Sequence, residues 1–252
     1  MKGLVLAGGT ATRLFPLTIV TNKHLLPIYD RPMIYYPIET LTGMGITEAM
    51  IIVGGKGVGD VVELLADGAH FGLDLTYRFQ QGALGIAHAI GLARKWVGSD
   101  AFSVILGDNI LNGPPLDAIA REFEEGPWDA GTLLYRVSDP ERFGVAELSA
   151  DGEVLGFEEK PAAPKSNLIP IGVYFLRPSA FPVIESLAMS ARGEFEITDV
   201  LNHFVGTGRF FAREYKGHWT DAGTVPSLLR ASELAAEAER EGRLVPPVTR
   251  PR

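Results

Sequence analysis

The feature that most limits what this chain can fold into is a series of short, almost wholly apolar runs: Leu4 to Ala7, Ala49 to Val53, Leu75 to Phe79 and Phe102 to Leu106. Longer stretches with helical spacing or Gly/Pro breaks lie between them. Strand-length runs alternating with helices imply a parallel sheet. Because the runs do not alternate apolar with polar residues, helices are expected on both faces of the sheet, as in a Rossmann-like, doubly wound α/β fold. Ligands of such folds gather at the carboxyl ends of the strands.

The texture changes after Trp128. Strand-like pieces Gly131 to Val137, Val145 to Leu148, Val154 to Phe157 and Val173 to Leu176 follow at short spacing. They read as a smaller β-rich, antiparallel or mixed extension that makes the sheet a mixed one. Helices are expected near Pro178 to Leu187, Ile197 to Val205 and Val225 to Glu241. The tail after the last helix, residues 243–252, is too rich in proline to continue it and is expected to be flexible.

With 252 residues, 46% of them hydrophobic, the chain can bury a full core, and one domain over residues 1–242 is expected. Its formal net charge of −8 argues against a nucleic-acid binder, which would show a basic face. The opening apolar run is too brief for a signal or a membrane span. The absence of cysteine excludes disulfides, thiolate metal sites and cysteine nucleophiles. Together these point to a cytoplasmic protein with no membrane partner. In an acidic chain, the cations that meet an anionic ligand should be concentrated in one cleft.

The loop after the first run, Gly8, Gly9, Thr10, Ala11, Thr12 and Arg13, has the chemistry of a phosphate cradle. Two glycines let backbone N–H groups approach an anion without Cβ obstruction, and a guanidinium can fork across two phosphate oxygens. Lys23 would add a second positive charge to the same anion. Taken alone, the loop reads equally well as a strand-to-helix turn with two surface cations. Asp108 ends an apolar run within Leu106-Gly107-Asp108-Asn109, so its carboxylate falls at the sheet's carboxyl edge, where a hard cation would be satisfied.

The segment LAGGTATRLFPLTIVTNKHLLPIYDRPMIYYP resembles the signature of the sugar-nucleotide pyrophosphorylases, especially the glucose-1-phosphate thymidylyltransferases. FGLDLTYRFQ, LGIAHAIGLA, VILGDNI, DPERFGVAEL, FEEKPAAPKSN, SARGEFEITD and HWTDAGT follow in the family's order, over roughly residues 1 to 230. The resemblance implies an enzyme that makes dTDP-glucose and pyrophosphate from dTTP, or UTP, and glucose 1-phosphate, and so feeds deoxysugar synthesis such as that of dTDP-rhamnose. It implies a homo-oligomer and Mg²⁺ as cofactor, held by Asp108 and Asp221. Residues 1–128 would be mainly the nucleotide half and residues 129–223 mainly the sugar-phosphate half, with a C-terminal helix over 224–242. Arg13 and Lys23 become the catalytic cations, and residues Gly8 to Arg13 with Asp108 become nucleotide contacts. Gln80 and Gly85 are implied at the base, and the adjacent Gln81 leaves a shift by one open. Gly144, Glu159, Lys160, Tyr174 and Arg192 are implied at the sugar phosphate, with Glu159 accepting from hydroxyls and Lys160 and Arg192 holding the phosphate. An aromatic within a strand, such as Tyr174, is equally a core residue. Another nucleotide or hexose, or a catalytically silent subunit that senses nucleotide sugars, are the competing readings; a silent subunit would be expected to lack Arg13, Lys23, Asp108 or Asp221.

Two positions depart from the family pattern. Ala11 stands where a third glycine is usual, and Ile171 precedes Gly172 where threonine is common. Several other signals carry no chemistry at this level. Gly54-Gly55-Lys56-Gly57-Val58-Gly59 matches neither the dinucleotide nor the Walker glycine spacing and reads as a flexible turn. His24, His70, His88, His203 and His218 show no paired metal-ligand spacing, and Ser103 and Ser138 sit in no nucleophile elbow.

Overall fold

A computed structural model describes residues 1–9 and 11–242; Thr10 and the expected tail lie outside the described residues. In chain order, β1 (Lys2–Ala7), β2 (Pro27–Ile28), β3 (Arg31–Pro32), α1 (Tyr35–Gly43), β4 (Glu48–Val53), α2 (Val58–Leu65) and β5 (Asp74–Phe79) come first. They are followed by α3 (Ile86–Gly91), α4 (Arg94–Val97), β6 (Phe102–Leu106), β7 (Asn109–Asn112), α5 (Asp117–Glu125) and β8 (Ala130–Arg136). Then come β9 (Gly144–Leu148), β10 (Val154–Glu159), β11 (Leu168–Leu176), α6 (Ala180–Ser186), α7 (Ile197–Gly206), β12 (Phe210–Glu214), β13 (His218–Asp221) and α8 (Val225–Arg240).

Seven strands form one mixed sheet in the order β12-β8-β11-β6-β1-β4-β5. The aliphatic runs explain its centre: every residue of β1 from Gly3 and of β4 from Ala49 is buried, so apolar side chains leave water on both faces. β4 is parallel to both β1 and β5, with Ala7 opposite Val53 and Val53 opposite Phe79. Three strands thus end level, and the residues that follow them, Gly8, Gly54 and Gln80, emerge side by side.

The expected β-rich extension is smaller than its sequence texture suggests. β8 and β11 pair antiparallel and join the main sheet, because both are apolar on both faces; β12 adds to β8 in parallel. Only the β9–β10 ladder remains as a separate two-stranded sheet.

The chain divides into two compact units. One comprises Met1, Leu84–Val104 and Ile119–Tyr215; the other comprises Lys2–Ala83, Ile105–Ala118 and the chain from Lys216. The late segment returns because β13 pairs antiparallel with β7, Asp221 opposite Asn109, and Trp219 Nε1 donates to Asn109 Oδ1 at 2.7 Å. Within that unit Leu14, Leu26, Ile28, Met33, Tyr36, Ile110, Ala222, Ala231 and Ala235 share one core, which fixes the turns on either side of Arg13 and Lys23. The other unit is centred on aromatic packing, with Phe102 stacked on Phe181 at 5.4 Å and Phe211 edge-on to Phe123 and Phe175. No helix among the described residues is long and apolar enough to cross a membrane.

Candidate active site

The glycine loop leaves β1 with no room for a side chain on its first residue. A Cβ on Gly8 would sit 2.9 Å from Gln80 Oε1. Gln80 is buried and Gln81 exposed, so of the two glutamines it is Gln80 whose amide lies against the loop. Gly9 has φ +103, open to glycine and costly for other residues. Ala11 takes φ 51, ψ 31, the left-handed region where glycine is the unstrained choice. The chain therefore carries roughly 1 kcal/mol of backbone strain at this departure from the family pattern. A short 3₁₀ turn, Thr12–Leu14, follows, anchored by the fully buried Leu14.

Lys23 opens a second 3₁₀ turn, Lys23–Leu25, capped by Asn22, whose side-chain oxygen accepts from His24 N at 3.0 Å. Lys23 Nζ reaches Asp108 Oδ2 at 2.6 Å. Burial alone would push the Asp108 carboxyl up, but Lys23, His24 and Arg13 hold it down to about 2, so it is an anion at neutral pH.

His24 is buried between these groups. Asn22 Nδ2 donates to Gly54 O and Lys56 O, so Asn22 Oδ1 is the acceptor and His24 Nδ1, 2.8 Å away, carries the hydrogen. His24 Nε2 then bears a lone pair with no partner in the described residues, against Gly107, where a Cβ would come within 2.8 Å of it. Burial first, and then the charge of Lys23, lower the His24 pKa to about 3 against the opposing pull of Asp108. The folded state thus refuses a proton that the unfolded chain accepts below about pH 6.5. His24's contribution is fully present above that pH and is lost as pH falls toward 3. In the ligand-free protein, urea denaturation at pH 6, 5 and 4 is expected to lose up to about 1.4 kcal/mol per pH unit from this group, and His24→Gln to remove that part of the slope. An unchanged slope in the variant would contradict the assignment.

The charged groups converge on one point. A Cβ on Gly223 would lie 2.9 Å from Arg13 Nη2, 3.1 Å from Asp221 Oδ2 and 3.4 Å from Asp108 Oδ2. The bare Cα of Gly223 is what lets a guanidinium and two carboxylates meet there. Ala222 N donates to Asp108 O at 2.8 Å and holds the two acidic segments together. Among the described residues no three histidine or acidic side chains form a metal-holding group. Two hard carboxylates side by side, Asp108 and Asp221, fit a divalent cation that takes the rest of its shell from substrate and solvent.

In the other unit, Arg192 is ringed by carboxylates. Its Nη2 lies 2.7 Å from Glu196 Oε2, 3.2 Å from Glu159 Oε1 and 3.4 Å from Glu194 Oε2. These pairs raise its pKa, hydrogen bonding to Glu196 first; the Glu196 carboxyl, which burial alone would raise, is held below its ordinary value by Arg192 and Ser190. Lys160 Nζ is 3.4 Å from Glu159 Oε1. The Arg192 side chain is still 37% exposed, so the guanidinium is oriented yet accessible to an anion. Gly144 makes room for Glu159, whose Oε2 would be 3.3 Å from a Cβ there. Tyr174 is 3% exposed in the middle of β11 and belongs to the core.

Gly85 has φ +97, and a Cβ on it would strike Phe195 O at 2.5 Å and Phe195 N at 2.8 Å. Here Phe195 N donates to Leu84 O and Ala87 N to Phe195 O. The structure therefore gives Gly85 a definite task in its own unit: it lets the start of α3 lie against the strand of residues that carries Arg192, Glu194 and Glu196. Glu196, Gly223 and Asn22 were not singled out from sequence, although an asparagine before Lys-His-Leu is a capping signal.

The chain matches the nucleotidyl transferase family model over residues 2–238. It is 42% identical to the glucose-1-phosphate thymidylyltransferase of Streptomyces antibioticus over 94% of its own length and 67% of the relative's. The chain spans about two thirds of the length of that relative and of the similar proteins from Streptomyces griseus and Haloferax volcanii. Among solved structures, a candidate glucose-1-phosphate thymidylyltransferase from Bacillus anthracis in complex with sucrose shares 47% identity at a TM-score of 0.89, over 93% of this chain and 95% of that one. A UDP-glucose pyrophosphorylase bound to UDP-glucose superposes with a TM-score of 0.81 at 25% identity, over 95% of this chain and 98% of that one. With the family model matched over nearly the whole chain and the fold shared with these structures, the chain belongs to the nucleotidyl transferase family.

Proposed function

We propose that this protein joins dTTP and glucose 1-phosphate, releasing dTDP-glucose and pyrophosphate, with Mg²⁺ as its cofactor. The observation that carries the reading is the meeting of Arg13, Asp108 and Asp221 at Gly223, with Lys23 bonded to Asp108, in a chain 42% identical to a protein named for this activity.

A phosphate oxygen of the sugar phosphate attacks the α-phosphorus; the new P–O bond forms as the α–β bond breaks, and pyrophosphate departs. The nucleophile is already an anion near neutral pH, so the chain needs no general base. Its task is to align two mutually repelling phosphates and to answer the charge that builds on the phosphoryl oxygens. Arg13 supplies a guanidinium for this. Lys23 keeps Asp108 ionised and oriented, and adds its own charge beside it. Asp108 and Asp221 would hold the Mg²⁺, which supplies charge neutralisation at the phosphates when bound. Gln80, with one donor and one acceptor on a single amide, suits the imide edge of thymine. Arg192 and Lys160 would hold the sugar phosphate, with Glu159 accepting from its hydroxyls.

The imide edge is common to thymine and uracil, and a fold-mate at 25% identity is a UDP-glucose pyrophosphorylase, so UTP is the competing nucleotide. Initial rates with dTTP, UTP, GTP and ATP against glucose, mannose and galactose 1-phosphates decide the pair. The proposal expects dTTP with glucose 1-phosphate to give the highest kcat/KM, and a preference for any other pair would replace it within the same chemistry.

Gly223→Ala tests the convergence point without altering any charge. The nearest obstacle to the new methyl is the free end of Arg13, which can swing aside, so the fold should hold while the guanidinium is displaced. We expect turnover to fall by roughly tenfold or more, as a displaced charge-stabilising donor dictates. Destabilisation should stay below about 1 kcal/mol, a Tm change of about 2–4 °C at most. Thermal denaturation beside steady-state kinetics checks both halves, and normal turnover would show that Arg13 acts elsewhere.

A further inference from the structure

We propose that the loop Gly54–Gly57 is a second phosphate-facing wall of the nucleotide site, and that Lys56 on it takes the outer phosphates of the triphosphate and therefore the pyrophosphate product. This rests on the nucleotidyl transfer proposed above and adds a residue to it.

From sequence the loop reads as a flexible turn, but in the structure it is pinned. Asn22 Nδ2 donates to Gly54 O at 3.3 Å and to Lys56 O at 3.0 Å, while Asn22 Oδ1 accepts from His24 N and Nδ1. One buried amide thus ties the loop to the turn that carries Lys23. The glycines are packed rather than merely tolerant. A Cβ on Gly54 would lie 3.0 Å from Gln80 O and 3.6 Å from Gly8 Cα, and one on Gly55 would lie 3.2 Å from Gly9 O. Gly55 and Gly57 take φ +76 and +68, and a Cβ on Gly57 would lie 3.1 Å from Asn22 N. The backbone of Gly54 and Gly55 therefore lies directly against the Gly8–Gly9 cradle, and Lys56 follows them on the same pinned loop.

Lys56 is exposed, and its ammonium has no ion-pair or hydrogen-bond partner among the described residues. Lys23, by contrast, is already matched by Asp108 at 2.6 Å. Arg13 converges on the same carboxylates, and a triphosphate carries most of its charge on its outer phosphates, so a further cation is wanted there. A lysine at the tip of a loop fixed against the cradle, on a four-carbon stem, is suited to those outer oxygens as a point charge.

The test is the reverse reaction, in which pyrophosphate is a substrate. Lys56→Ala is expected to raise the KM for pyrophosphate by about tenfold or more, the effect of losing one charge-assisted hydrogen bond, while the KM for the nucleotide sugar moves by less than about twofold. Asn22→Ala should raise the same KM, and trypsin should cut after Lys56 faster than in the wild-type protein, because the loop is released. Calorimetric titration of pyrophosphate into wild-type and Lys56→Ala protein gives a reading that needs no turnover, so an enzyme inactive with every nucleotide would overturn the nucleotidyl transfer proposal and still leave the loop tested. Pyrophosphate KM and affinity unchanged in Lys56→Ala, or trypsin cleavage unchanged in Asn22→Ala, would overturn the role given to the loop.

Discussion

Arg13→Ala is expected to lower kcat by about a hundredfold, the cost of removing one preorganised donor from a site of developing charge. Arg13 Nη2 comes within 2.9 Å of the point, above Gly223, that also has Asp221 and Asp108 within 3.4 Å. A guanidinium beside these two carboxylates is placed to meet the charge that builds during transfer, so its effect should fall on the chemical step more than on binding. The KM for the sugar phosphate should change little, since the proposed reading gives that phosphate to Arg192 and Lys160. Steady-state kinetics of the purified variant separate the two parameters, and turnover within a few-fold of wild type would remove Arg13 from the mechanism.

Gly85→Ala is expected to be the most destabilising of the substitutions considered. The added methyl meets backbone, not a flexible side-chain end: Phe195 O at 2.5 Å and Phe195 N at 2.8 Å. The alanine must also adopt φ +97, well outside the regions L-residues favour. Overpacking of about 1–3 kcal/mol and backbone strain of about 1–3 kcal/mol add, which gives a Tm lower by roughly 5–15 °C for a chain of this length. Because the residues displaced are next to Arg192, Glu194 and Glu196, the KM for the sugar phosphate should rise as well. Differential scanning calorimetry and the two substrate KM values together check this. A Tm loss with no change in that KM would make Gly85 purely a packing residue, and a change confined to the nucleotide KM would restore the base-contact role that family resemblance implies for it.

How far the sequence could be read depended on whether a feature was local. The runs at β1, β4, β5 and β6 appear within two residues of their expected bounds; for β1, β4 and β6 near-continuous burial leaves a signal in composition alone, while β5 buries only Leu75. β12 escaped notice: in Phe-Phe-Ala-Arg-Glu only one residue is buried, which is the pattern of an edge strand with too few apolar positions to stand out. The assignment of β8 and β11 to the main sheet depended on pairings between distant segments that no local pattern encodes. The acidic pair shows the same limit. Asp108 was legible as an aspartate at the end of a strand, whereas Asp221 was identified by resemblance; that they meet follows from β13 pairing with β7. The contact of the Lys23 ammonium with Asp108, 85 residues away, is likewise a pairing of distant segments that no local pattern encodes. His24 and Asn22 look unremarkable in sequence because their importance comes from burial and from what they bond, neither of which one sequence prints.

The measurement that bears most directly on the central claim is pyrophosphate release from dTTP, glucose 1-phosphate and Mg²⁺, run beside Asp108→Asn and a metal-free control. The account predicts stoichiometric pyrophosphate and nucleotide sugar from the wild-type protein and loss of both in the variant and without metal, since Asp108 carries the anion that Lys23, Arg13 and the cation all address. Release that persists undiminished in Asp108→Asn would contradict the site, and no release with any triphosphate and hexose phosphate would contradict the reaction.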